Sequence, residues 1–158
     1  MAAEPLTASV HIDAPPEVVY DYFTRPDAIV TWMGDYAVLE PEPGGRFTLD
    51  IRGAPVRGRF LELDPPHRLV ISWGYAGSQR LPPGASTVEV RLVAVDGGTR
   101  VELEHRDLPP AEHRGHAIGW AHYLRRVESA AAGRDPGRDP GMPDEARPAN
   151  ARSERPAS

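Results

Sequence analysis

The stretch GGRFTLDIRGAPVRGRFLELDPPHRLVISWGY, at residues 44–75, decides the fold of this chain. Apolar residues alternate with polar ones in three runs, and glycine or proline separates each run from the next. Alternation with a period of two is typical of a strand with one buried face, and glycine and proline are typical of turns. The stretch therefore predicts three sequential strands of an antiparallel sheet, with one face left for helices.

The sequence on both sides extends this pattern. Residues 6–12 alternate as a further strand, and residues 13–34 have the apolar spacing and proline positions of two short helices. Residues 86–106 form two alternating runs around an Asp-Gly-Gly turn, which is a strong hairpin signal. Residues 111–132 place apolar side chains along one helical face. This order predicts an α+β fold in which a curved antiparallel β-sheet wraps around a long C-terminal helix.

The expected folded unit does not include the end of the chain. A sequence of 158 residues is long enough for one domain with a sizeable core. From residue 133 onward the sequence has a tandem GRDP, many prolines and almost no large apolar residue. Such a segment cannot bury enough apolar surface to offset its chain entropy. We therefore expect a domain over residues 1–132 and a disordered Pro/Gly/Arg-rich tail over residues 133–158.

Composition excludes several classes of function. The net charge of −5 argues against a surface that follows nucleic acid phosphates. No apolar stretch approaches the roughly 20 residues that cross a bilayer, and no leader pattern is present, so we expect a cytoplasmic protein. Cysteine is absent, and all 18 basic residues are arginine. Disulfides, thiolate chemistry and lysine Schiff bases are therefore excluded.

Five pieces of sequence, taken in order, resemble one known family. They are Gly44-Gly45-Arg46, PPHRLVISW at residues 65–73, GTRV at residues 98–101, Gly119-Trp120, and Leu124. Together they resemble the SRPBCC (START-like) superfamily, in the branch named after the activator of the heat-shock-protein-90 ATPase, over residues 6–132. The resemblance implies a helix-grip (Bet v-type) fold with an apolar cavity between sheet and helix. Its members include lipid and hormone binders, polyketide cyclases or aromatases, and chaperone activators, so it implies the fold more firmly than the function.

The residues expected to line that cavity are those on the inward face of each strand, where alternate residues share a face, and those on the apolar face of the last helix. An apolar pocket with a few polar groups is the usual signature of a small-molecule site of roughly 300–1,000 Å³. The candidate ligand-binding residues are Trp32, Phe47, Ile71, Trp73, Val90, Leu103, His105, His116, Trp120 and Leu124.

Two histidines are candidate catalytic groups. His113 and His116 share a helix face, and His105 ends the neighbouring strand with an inward side chain. Three imidazoles would suit a zinc site with one open position. No carboxylate or cysteine completes the set, however, and we expect no metal and no other cofactor. His105 or His116 remains the candidate general acid or base. The sequence shows no nucleophile, which favours a protein that is not an enzyme.

Three functions from different classes remain open. The first is non-catalytic binding of a small hydrophobic or amphipathic ligand in the cavity. The second is a cyclase- or aromatase-type enzyme that uses a pocket histidine. The third is an interaction module for a chaperone or regulator, as in a stress response, that uses outer-face arginines such as Arg57, Arg59 and Arg91. Neither nucleic acid nor a membrane span is expected in any of them.

Overall fold

The structure is a computed structural model, and it describes residues 4–146. The chain forms seven strands and three α-helices in this range. The strands are β1 (Leu6–Ile12), β2 (Tyr36–Leu39), β3 (Arg46–Ile51), β4 (Ala54–Asp64), β5 (Arg68–Trp73), β6 (Ser86–Val95) and β7 (Gly98–Arg106). The helices are α1 (Pro16–Thr24), α2 (Pro26–Ile29) and α3 (Pro110–Ala131), with a short 3₁₀ turn at Asp144–Ala146.

All seven strands form one antiparallel sheet in the order β1-β7-β6-β5-β4-β3-β2. Strands β2 to β7 pair with their sequence neighbours, and β1 closes the far edge against β7. A register shift between Phe60 and Glu62 marks an irregularity in β4, and such irregularities bend a sheet. The α+β helix-grip fold, with two short helices after the first strand and a long C-terminal helix, is therefore confirmed.

The core lies between the inner face of the sheet and the helices. Inward residues alternate along the strands as the sequence predicts: Phe47 and Leu49 on β3 are fully buried, as is Val101 on β7. On α3, Leu124 and Val127 complete the core. The N-terminal half of α3 meets aromatic side chains of the sheet instead, and this is where the candidate site lies.

Residues 133–146, called the strap below, lie against the domain. Asp139 in the strap is only 5% exposed, and Met142 packs against the hydrophobic core. In the structure this part of the expected tail is held against the domain by hydrogen bonds from side chains of α3, and the division into domain and tail stays a prediction. The rest of the expected tail lies outside the described residues. Within residues 4–146, no helix is long and apolar enough to cross a membrane.

Candidate functional site

A small apolar cavity lies between β5, α3 and the strap. Its volume is about 20 Å³, which is enough for roughly one water molecule. Aromatic rings form much of its wall, and the rings of Trp73 and Trp120 approach with their centroids 5.2 Å apart. The lining residues are Met33, Ile51, Trp73, Tyr75, His116, Gly119, Trp120, Tyr123 and Met142.

His105 lies behind this wall with no solvent exposure, and hydrogen bonds determine its tautomer. The indole N–H of Trp120 donates to its Nδ1 at 3.0 Å. An indole can only donate, so Nδ1 carries the lone pair and Nε2 carries the proton. That proton is donated to the hydroxyl of Ser86 at 2.8 Å, and Ser86 in turn donates to the carbonyl oxygen of Trp73. Both ring nitrogens of His105 are therefore in use.

His116 has the opposite tautomer for the same kind of reason. Its Nδ1 donates to the carbonyl oxygen of Glu112 at 2.8 Å, because a carbonyl can only accept. Its Nε2 accepts a 3.0 Å hydrogen bond from the hydroxyl of Tyr75. The indole N–H of Trp73 donates to that same hydroxyl at 3.2 Å. The chain of donors from Trp73 to His116 is complete without a ligand.

Burial keeps both imidazoles neutral. It lowers the pKa of His105 from its ordinary 6.5 to about 2, with further contributions from His116 and His113. Burial also lowers the pKa of His116, although Glu112 partly opposes this. The pKa of the Tyr75 hydroxyl rises to about 12, chiefly through burial. These groups are polar in composition but carry no charge at neutral pH.

The arrangement leaves no free imidazole lone pair on His105 or His116 for acid–base or metal chemistry. His105 and His116 lie with ring centroids 5.2 Å apart, yet each nitrogen already has a partner. A metal or a substrate proton would have to displace one of these hydrogen bonds first. Within residues 4–146, no group of three histidine, cysteine or acidic side chains is placed to hold a metal ion.

The strap forms one side of the cavity. The side chain of Met142 forms part of the wall, and its Sδ lies 3.7 Å from the position that a Cβ on Gly119 would occupy. One turn earlier on α3, a Cβ on Gly115 would collide with the carbonyl oxygen of Ala146. Gly115 thus lets the strap backbone approach the helix closely, whereas a Cβ on Gly119 would make only an ordinary contact with the Met142 side chain.

Asp139 anchors the middle of the strap. Its carboxylate accepts a 2.6 Å hydrogen bond from the backbone N–H of Gly34 and 3.1 Å bonds from the hydroxyl of Tyr123. It also accepts from the N–H of Gly141 at 2.8 Å, which closes a tight turn inside the strap. Burial, and secondly the charge of Asp139, raise the pKa of Tyr123 far above its ordinary value, so Tyr123 stays a donor.

A second anchor comes from Arg126 on α3, which is 8% exposed. Its guanidinium donates to the carbonyl oxygens of Pro136 and Gly137 in the strap, at 3.0 and 2.7 Å. It also donates to the carbonyl oxygen of Trp32 at 2.8 Å. This α3 side chain therefore contacts both the strap and the segment that follows α2.

The structure brings together only some of the residues that the sequence singled out. Trp73, His116 and Trp120 line the cavity. His105 does not line it but supports Trp120 from behind. The other candidates are buried in the core and do not line the cavity: Trp32, Phe47, Ile71, Val90, Leu103 and Leu124.

Sequence reasoning missed most of the remaining wall. Tyr75 shares the parity of Trp73 and could have been included on that signal. Tyr123 precedes Leu124 on α3 and was passed over because it lies off the expected apolar stripe. Met142 had no local signal at all, because it belongs to a segment whose composition indicates disorder.

The fold and this site define a helix-grip domain with a small apolar cavity. Residues 13–132 match the family described as Activator of Hsp90 ATPase homolog 1-like protein. The match covers more than half of the chain, and the chain belongs to this family, as the resemblance implied. The human activator of 90 kDa heat shock protein ATPase homolog 1 is 28% identical over 109 residues. Those residues are 68% of this chain and 31% of the human protein, so the chain spans about a third of that relative.

Solved structures agree with this assignment. An AHSA1-like protein from Rhizobium etli has a TM-score of 0.72 at 46% identity, and the match covers 89% of this chain and 88% of that one. An HSP90 activator from Plasmodium falciparum has a TM-score of 0.65 at 24% identity, over 80% of this chain and 94% of that one. The second likeness is one of fold alone.

Proposed function

We propose that this protein binds a small apolar ligand in the cavity between β5 and α3, beside the side chain of Met142. The observation that carries the proposal is the wall itself. Four aromatic side chains line the cavity: Trp73, Tyr75, Trp120 and Tyr123. Met142, which belongs to the non-helical strap, lines it as well. Methionine adapts its shape readily and is common at surfaces that accept varied apolar partners.

The hydrogen bonds of the wall define the chemistry of the ligand. Every side-chain nitrogen and hydroxyl of the lining residues already has a partner within the protein. A charged or strongly polar ligand would lose its hydration and gain no partner, which is unfavourable. The ligand class is therefore neutral, compact and hydrophobic, and a planar ring would suit the aromatic faces.

The same hydrogen bonds weigh against the enzyme alternative. A general base needs a lone pair within reach of the proton that it removes. The lone pairs of His105 and His116 accept from Trp120 and Tyr75, and both pKa values are lowered by burial. Binding without catalysis is the reading that the geometry supports better.

The test is a fluorescence titration of the full-length protein with N-phenylnaphthylamine, a neutral apolar probe. We expect saturable binding by the wild type. Gly119→Leu should weaken it by about tenfold or more, because the new side chain takes the space that the probe needs. Ala121→Leu adds the same side chain to an exposed position on the same helix and should leave the affinity unchanged. Equal affinity in all three proteins would place the probe elsewhere and refute the proposal.

A specific observation favours a second candidate, a protein-interaction role. A groove of about 310 Å³ on the outer face of β3 and β4 is lined by Arg46, Arg57 and Arg59 among others. Arg46 and Arg57 pair with Glu40 and Asp50. Within residues 4–146, Arg59 forms no ion pair, and its guanidinium donates to a backbone carbonyl. The groove therefore presents net positive charge to an acidic partner.

The names of the relatives indicate which partner to test. Purified chaperone of the Hsp90 class should hydrolyse ATP faster when this protein is added, and Arg59→Glu should reduce the effect by reversing the charge in the groove. Arg80→Glu reverses a charge at an exposed position outside the groove and serves as the control. No stimulation by the wild type would exclude this candidate and would leave the ligand proposal intact.

A further inference from the structure

The tandem GRDP of the sequence forms two copies of the same turn in the strap. Asp135 accepts from the N–H of Gly137, and Asp139 accepts from the N–H of Gly141, each at 2.8 Å. Both glycines have positive φ, at 80° and 88°. The two turns differ only in their surroundings, because Asp135 is exposed and Asp139 is buried. The first copy, with Asp135, forms only its own turn, whereas the second copy, with Asp139, also anchors the strap to the domain.

The attachment of the strap is local. Within the described residues, its backbone bonds to the rest of the domain are confined to its first residues, where Gly133 and Arg134 bond to the end of α3. Beyond that point the groups that hold the strap include the carboxylate of Asp139, the guanidinium of Arg126, the partly buried Met142 and the buried Ala146. A segment with few buried apolar groups and no strand pairing opens at a lower free energy than the whole domain.

We propose that the strap is a displaceable gate over the ligand cavity. Asp139 holds it closed, Met142 fills the place that an apolar ligand takes, and the ligand enters when the strap detaches. This inference rests on the ligand-binding function proposed above. It follows that the strap and the ligand compete, so the apparent affinity for a ligand is reduced by the fraction of molecules in which the strap is closed.

The tandem repeat supplies a matched pair of variants for the test. Asp139→Asn keeps an oxygen that can close the internal turn, but it loses one acceptor and turns an N–H₂ group toward the donors of Gly34 and Tyr123. Asp135→Asn makes the same change in the exposed repeat and serves as the control. Hydrogen exchange by mass spectrometry reports whether the strap is attached, and the N-phenylnaphthylamine titration reports whether the cavity is accessible.

We expect Asp139→Asn to speed exchange in residues 133–146 by about tenfold and to tighten probe binding by a similar factor. Asp135→Asn should match the wild type in both measurements. Unchanged exchange in Asp139→Asn would refute the anchor. Faster exchange with unchanged probe affinity would refute the gate while leaving the binding function standing. Failure of every protein to bind the probe, with the strap released, would refute the binding function itself.

Met142→Ala provides a second route that leaves both anchors in place. It removes the side chain that closes the cavity, so we expect tighter probe binding with an unchanged circular dichroism spectrum. This variant keeps the inference testable if Asp139→Asn does not fold. Probe affinity equal to that of the wild type would show that Met142 does not occupy the ligand's place, and the gate would be rejected.

Discussion

The indole of Trp120 on α3 donates a hydrogen bond to Nδ1 of His105 on β7, and both side chains are buried. This bond joins the long helix to the sheet at the point where the core gives way to the cavity. It also determines the tautomer of His105 and, through Ser86, connects the helix to the backbone of β5. On the sheet side, the candidate site is therefore held by a continuous set of hydrogen bonds.

We predict that Trp120 and His105 are energetically coupled. Trp120→Phe leaves Nδ1 of His105 buried without a donor, and His105→Leu leaves the indole N–H without an acceptor. Each should lower the free energy of unfolding, with a contribution of about 1–3 kcal/mol from the orphaned group. The double variant should lose less free energy of unfolding than the two single variants lose together. Urea denaturation of the wild type and the three variants would measure this. Additive effects would mean that the bond contributes nothing.

A second prediction concerns pH. An unfolded histidine takes up a proton near pH 6.5, whereas His105 in the folded protein stays neutral down to about pH 2. The unfolded state therefore binds more protons across this window, and the free energy of unfolding falls as the pH falls below about 6.5. His116, whose pKa is also lowered, adds to the effect.

The expected slope is about 1.4 kcal/mol per pH unit for each histidine that titrates only in the unfolded state. Urea denaturation between about pH 7 and pH 5 would measure it, above the range in which ordinary carboxylates titrate. His105→Gln should remove the contribution of His105 and give a shallower dependence. Equal slopes in the variant and the wild type would contradict the prediction.

A third prediction concerns Glu89, which is 4% exposed on the outer face of the sheet. Arg68, Arg91 and Arg106 all lie within 2.8 Å of its carboxylate. Burial alone would raise the pKa of Glu89, but the hydrogen bonds from Arg68 and Arg106 outweigh it, and the pKa is lowered. Removing this carboxylate leaves three guanidinium groups close together, with only the more exposed Glu62 still paired with Arg68 and Glu104 with Arg106.

We therefore expect Glu89→Ala to destabilise the protein by about 2–3 kcal/mol, less than for a fully buried pair because the arginines are partly exposed. Glu62→Ala is the matched control, since Glu62 pairs with the same Arg68 but its side chain is 62% exposed. That variant should cost at most about 1 kcal/mol. Thermal unfolding of both variants would compare their losses of stability. Equal losses of stability would argue against a central role for Glu89.

A fourth prediction uses the close approach of the strap to α3. Gly115→Ala should favour the helix by up to about 1 kcal/mol, but its methyl group collides with the carbonyl oxygen of Ala146. We expect faster hydrogen exchange at residues 144–146 without a lower melting temperature. Gly119→Ala gains the same helix propensity and makes only an ordinary contact with Met142. Equal protection of the strap in both variants would contradict the collision.

The helices, the strands and the pairing of sequential strands could be predicted because their signals are local, whereas the pairing of β1 with β7 joins distant parts of the chain. The alternation around Phe47 and Leu49 indicates which face of β3 is buried, and the Asp-Gly-Gly turn joins β6 to β7. Alternation along a strand identifies which residues face inward, but not whether such a residue lines the cavity or lies deeper in the core. Val90 and Leu103 face inward as expected, yet they pair with each other in the sheet and lie within the core. The cavity wall therefore could not be separated from the core by pattern alone.

By itself, the sequence determined the antiparallel sheet, the long C-terminal helix and the family, because period-two alternation, turn residues and a helical stripe act over a few neighbouring positions. Only the tertiary structure decided that residues 133–146 lie against the domain and contribute Met142 to the cavity wall. Asp139 is held there by Gly34, which lies 105 positions away along the chain, and by Tyr123 on α3. Partners so distant in sequence leave no local pattern, and composition alone indicates a segment without structure.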